Sequence, residues 1–139
     1  MRNLLTAIHW KLVALAAAAV LLAACGGGRT KPDLVQAANI PTSFDVTILA
    51  DKDNQFDYDG APLTPEDLKG AFRYRQEESL PMATVLLKRG EKQKIKKEHL
   101  ASLARIAHQM HFTAFVEESN GLISELQANI KDADSDSAQ

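Results

Sequence analysis

The only cysteine of this 139-residue chain stands at position 25, directly behind an apolar run over residues 12–22. One cysteine cannot close an internal disulfide, so whatever folds here must be held by its own hydrophobic core. The run follows Arg2 and Lys11 and is ended by Gly26-Gly27-Gly28 and Arg29. Crossing about 30 Å of hydrocarbon takes roughly 20 apolar residues, and this run is well short of that. A leader that is removed fits better than a permanent membrane helix, with its basic residues kept on the side of synthesis. The 115 residues from Cys25 onward suit one small domain.

The four residues Leu22-Ala23-Ala24-Cys25 resemble the signal of bacterial lipoproteins. That resemblance implies recognition of Leu22, Ala23 and Ala24, a diacylglycerol on the Cys25 sulfur and cleavage before Cys25. The covalent lipid is then the only non-protein group expected, with no other cofactor. Several acyl chains make a stable anchor, because each buried methylene adds about 0.8 kcal/mol. An ordinary secretory cut after Ala-x-Ala competes with this, since residues 16–19, 23 and 24 are all alanine. The cysteine favours acylation, which removes a free thiol from an oxidising compartment. The residue after Cys25 is Gly26 rather than an inner-membrane-retaining aspartate, so the periplasmic side of the outer membrane is favoured over the inner membrane.

Loss of residues 1–24 takes the basic count from 16 to 14 against 18 acidic residues, and the net charge from -2 to -4. A mildly acidic domain without interleaved basic and aromatic residues argues against nucleic acid.

Along the chain, 25–43 holds the glycine triplet, Pro32 and Pro41, which predicts a flexible tether. Phe44, Val46 and Ile48 alternate with Asp45 and Thr47 as a half-buried strand, and Phe56 and Tyr58 return as its hairpin partner across Asp51-Lys52-Asp53-Asn54. Asp59-Gly60 turns the chain. Thr64-Pro65-Glu66-Asp67 starts a helix: a capping hydroxyl, proline at the first position and two carboxylates at the positive end. Residues 82–87 are apolar throughout apart from Thr84, which predicts a central strand covered on both faces. A second helix over about 95–110 stripes Leu100, Leu103, Ile106, Ala107 and Met110, and 113–116 is a further strand. Leu122, Ile123, Leu126 and Ile130 suit a C-terminal amphipathic helix over 119–131, followed by a disordered acidic tail over 132–139.

This order predicts an α+β domain over 44–118: a small mixed ββαβαβ sheet with two helices on one face. The other face of the 82–87 strand still needs cover. The C-terminal helix or a second copy of the chain would provide it, hence an expected homodimer.

Residues 33–118 resemble the periplasmic domain of the ExbD/TolR family of biopolymer-transport proteins. The likeness rests on Asp33-Leu34-Val35-Gln36-Ala37, Val46-Thr47-Ile48-Leu49-Ala50, the hairpin over 51–60, Pro62-Leu63-Thr64-Pro65-Glu66-Asp67-Leu68, Thr84-Val85-Leu86-Leu87 and the segment over 112–117. It implies a partner-binding domain of the cell envelope. Family members keep a transmembrane helix with a proton-responsive aspartate, whereas no acidic residue precedes Asp33 here. Energy transduction is therefore not implied. Where the family has an acidic turn after its strand, this chain has Lys88-Arg89-Gly90-Glu91-Lys92.

Lys88, Arg89, Lys92, Lys94, Lys96 and Lys97 form the densest charge cluster. They are either a solvated loop or a contact for an acidic partner, such as peptidoglycan carboxylates, anionic headgroups or an envelope protein. Asp51, Asp53, Asp57 and Asp59 lack the glycine and glutamate that a calcium loop requires, because Phe56 and Pro62 stand in those places. His99, His108 and His111 have no companion carboxylate or cysteine at ligand spacing, which makes them surface or rim residues with no metal expected. No phosphate loop or nucleophile elbow appears, so no enzyme is expected. The expected function is a lipid-anchored adaptor; a structural spacer or oligomerisation unit of the envelope is the alternative.

Intact-mass measurement of the membrane-extracted protein is expected to show a chain starting at Cys25 with a diacylglycerol adduct. Cys25→Ala is expected to lose both adduct and cleavage; a processed, unmodified chain contradicts the lipoprotein signal.

Overall fold

The computed structural model describes residues 31–129. They form one seven-stranded mixed sheet: β1 Lys31–Gln36, β2 Val46–Ala50, β3 Phe56–Tyr58, β4 Ala61–Leu63, β5 Thr84–Lys88, β6 Thr113–Glu117 and β7 Ile123–Asn129. The strand order is β1-β7-β6-β5-β2-β3-β4. Two helices complete it, α1 Pro65–Glu77 and α2 Lys97–Met110. The parallel centre β2-β5-β6 follows from the two helical crossovers, and the flanking strands pair antiparallel.

Local chemistry accounts for most of these elements. The β2–β3 connection is a two-residue turn with Asp53 and Asn54 both at positive φ, and β3–β4 repeats the device with Asp59 and Gly60. Such primed turns match the strand twist. Helix α1 begins as its sequence indicates, with Thr64 Oγ1 accepting the Asp67 amide at 3.2 Å and Pro65 as first residue.

Both helices pack on one sheet face. Leu68 and Phe72 of α1 and Leu103, Ile106 and Ala107 of α2 share a single core with Val46, Ile48, Val85, Leu87, Ala114 and Val116. Edge-on aromatic contacts run through it, Tyr58 to Phe72 at 6.1 Å and Phe72 to Phe112 at 5.5 Å.

The opposite face carries the row Val35, Glu125, Phe115, Leu86 and Thr47. Leu86 and Phe115 are nevertheless buried, at 6% and 3% exposure. Topology supplies their cover. β1 runs parallel to β2 but ends level with Val116, while β2 starts level with Val85. Residues 37–45 must therefore return across β7, β6 and β5. A right-handed crossover in this lateral direction, opposite to that of the helical crossovers, runs over the helix-free face. Phe44 meets Phe115 there edge-on at 5.2 Å. Asp45 then pins the segment, its carboxylate accepting the Ala83 and Thr84 amides at 2.8 and 3.0 Å.

Two expected segments are corrected. The C-terminal helix over 119–131 is not formed: residues 123–129 are β7. Gly121, at φ +82, closes a three-residue hairpin loop, with its amide on the Glu118 carbonyl and the Glu118 amide on the Leu122 carbonyl. Alternation then buries Ser124 and Leu126, while Leu122, at the end of the hairpin loop before β7 begins, is 63% exposed. The tether over 25–43 is not wholly a tether, because β7 offers an edge on which residues 31–36 pair as β1. Cover for β5 comes from within the chain, so the need for a second copy on this face disappears. The leader over 1–24 and the tail over 132–139 lie outside the described residues.

Phe115→Ala is expected to lower the unfolding free energy by about 3–5 kcal/mol, and Phe44→Ala by less than half of that. Denaturant titration checks this, and an unchanged midpoint for Phe115→Ala contradicts the covered-face assignment.

Candidate functional site

The segment 89–96 connects β5 to α2 at the end of the sheet where β2, β5 and β6 finish. Its path is set by contact with the backbone of β2. Gly90 is buried, and a Cβ there would lie 2.4 Å from the Ala50 carbonyl oxygen. Only glycine fits. The Gly90 amide also donates to the Gln93 carbonyl at 3.0 Å, which tightens the turn.

His99 secures the other end of the segment. Its ring is fully buried. Nδ1 accepts the Lys96 amide at 3.0 Å, and Nε2 lies 2.8 Å from the Asp51 carbonyl and 3.1 Å from the Gln55 carbonyl. Two facing carbonyls require the proton on Nε2, so the ring is a neutral Nε2–H tautomer that donates to both. One side chain thereby caps the start of α2, which has no Ser, Thr, Asp or Asn at its cap position, and ties it to the β2–β3 turn. Phe56 stands edge-on to the ring at 5.4 Å. His99 is thus a core residue, and the expectation of a surface or rim histidine is corrected for it. The sole signal was its position three residues past Lys96, the place of the acceptor in a capping box. His108 and His111 are exposed.

The basic cluster is divided by the fold. Lys88 ends β5 and pairs with Glu117 of β6 at 3.4 Å, half-exposed. The only other ion pair among the described residues joins Arg105 to Glu66 at 3.8 Å. Arg89, Lys92, Lys94, Lys96 and Lys97 are exposed and make no ion pair among the described residues. Arg89 and Lys94 border a cavity of about 390 Å³ beside β1 and α2. Lys92 borders another of about 550 Å³ with Asp51, Lys52, Asp57 and Glu91. Lys96 and Lys97 line neither; they sit at the positive end of the α2 dipole, where Glu98 offsets them.

The four aspartates of the hairpin do turn work. Asp51 accepts the Lys52 amide and Asp57 the Gly60 amide, each at 2.8 Å, while Asp53 and Asp59 hold positive φ. Among the described residues no group of three or more His, Cys, Asp or Glu could share a metal ion. No helix among the described residues is long and apolar enough to cross a membrane. Leu22, Ala23, Ala24 and Cys25 lie outside the described residues. Comparisons with protein-family models, with curated proteins and with solved structures find no match for this chain.

His99→Ala is expected to cost about 2–3 kcal/mol by removing a fully buried ring and leaving the Asp51 carbonyl and the Lys96 amide without it, while the Gln55 carbonyl keeps the Asp51 amide at 2.9 Å. Lys88→Met is expected to cost under about 1 kcal/mol. Nitrogen-15 spectra of the imidazoles are expected to show the Nε2–H pattern for His99; an Nδ1–H pattern contradicts the bridging role.

Proposed function

We propose that this chain is a lipid-anchored adaptor of the bacterial envelope, which binds a partner on the periplasmic side and performs no chemistry. The observation that carries this reading is Leu22-Ala23-Ala24-Cys25 behind an apolar run too short to span a bilayer. The likeness of residues 33–118 to ExbD/TolR periplasmic domains supports a binding role, without the proton-responsive helix. Attachment through Cys25 favours the outer membrane, given Gly26 after it.

Chain length adds a geometric argument. Five residues separate Cys25 from Lys31, a reach of about 20 Å at full extension. β1 then rises about 20 Å through its six residues. It ends at the same end of the sheet as segment 89–96. In an upright orientation on that anchor, the length of β1 holds the exposed cations beyond a Debye length of about 8–10 Å from the leaflet. Peptidoglycan carboxylates or an acidic face of an envelope protein fit that placement better than the headgroups of its own membrane.

Substituting Lys92, Lys94, Lys96 and Lys97 together with glutamine is expected to reduce cosedimentation with purified cell-wall sacculi severalfold while leaving the thermal midpoint within a few degrees. Unchanged sedimentation removes the adaptor reading of this cluster. It favours the structural spacer or oligomerisation unit instead.

A further inference from the structure

We infer that the cavity between β1, the segment after β5 and the first turn of α2 binds a monoanionic amphiphile, a carboxylate carried on an apolar body. Its volume of about 390 Å³ lies within the range of small-molecule sites. The floor is apolar: Leu34 of β1, Ile95, Leu100 of α2 and Val116 of β6. Ile95 and Leu100 are only partly buried against the core, and Leu34 keeps 40% of its surface exposed. This leaves a strip of hydrocarbon at the mouth for a ligand to cover.

The rim selects the sign of the ligand. Arg89 and Lys94 border the cavity with no ion pair among the described residues. The two carboxylates there are already engaged: Glu117 with Lys88 at 3.4 Å, and Glu118 with the Ser124 hydroxyl, which donates to it. Arg89 and Lys94 balance Glu117 and Glu118 on the lining itself, and Lys88, outside the lining but paired with Glu117, leaves one positive charge over. A single carboxylate balances that charge, and a doubly ionised phosphate exceeds it. The guanidinium of Arg89 also presents the planar fork that a carboxylate accepts in two parallel hydrogen bonds. The site uses only described residues and does not depend on acylation of Cys25.

The test is a nuclear magnetic resonance titration of residues 25–139 carrying Cys25→Ser, which keeps all described residues and hence the whole described core. The probes are sodium decanoate below its micellar concentration, decan-1-ol and sodium acetate. Decanoate is expected to give saturable shifts at Leu34, Leu100 and Val116. Acetate is expected to leave them unmoved, and decan-1-ol to bind at least about tenfold more weakly. Arg89→Ala combined with Lys94→Ala, both exposed in the free protein, is expected to weaken decanoate about tenfold and leave decan-1-ol unchanged. Equal binding of decanoate and decan-1-ol, shifts confined to the opposite sheet face, or no saturable shift overturns the assignment.

Discussion

Strand β5 is buried on both faces, and the rest of the domain is arranged to bury it. Val85 and Leu87 face the two helices, while Leu86 faces the other way beside Phe115. A strand with apolar residues on both sides cannot remain at an edge or beneath solvent without exposing a large apolar surface. It therefore takes the centre of the order β1-β7-β6-β5-β2-β3-β4. Helical crossovers cover one side, and the returning segment 37–45 with Phe44 covers the other. The hand of parallel crossovers makes these two solutions complementary: connections that step in opposite lateral directions fall on opposite faces.

The end of the sheet where β2, β5 and β6 finish inherits its chemistry from that arrangement. Segment 89–96 passes so close to Ala50 that only Gly90 fits, and buried His99 fixes where α2 begins. Arg89, Lys92, Lys94, Lys96 and Lys97 are held exposed at this end of the sheet. The fold separates Arg89 and Lys94 from Lys92, so what reads as one cluster in sequence becomes two environments, one floored by hydrocarbon and one bordered by aspartates.

Elements whose signal is local were legible. The hairpin over 46–58, the capped α1, the amphipathic α2 and the doubly apolar β5 all follow from turn residues, caps and periodicity within a few residues of themselves. β7 was misread because Leu122, Ile123 and Leu126 also fit a helical spacing. The competing signal was Asn120-Gly121, a hairpin turn that returns the chain onto β6. β1 carries little signal of its own, with Pro32 and an exposed Leu34, because an edge strand is specified by its neighbour.

The amino-acid sequence alone excluded an internal disulfide and set the mildly acidic balance, the two helices, the central strand, and the apolar run that leads into Leu22-Ala23-Ala24-Cys25. Each of these depends on composition or on contacts between near neighbours. Long-range contacts were needed to pair residues 31–36 and 123–129 as strands, to lay 37–45 over the second face, and to make His99 a buried bridge between α2 and the β2–β3 turn. Those outcomes depend on backbone and side-chain hydrogen bonds between residues far apart in the chain. Such partners exist only once the sheet has brought them together.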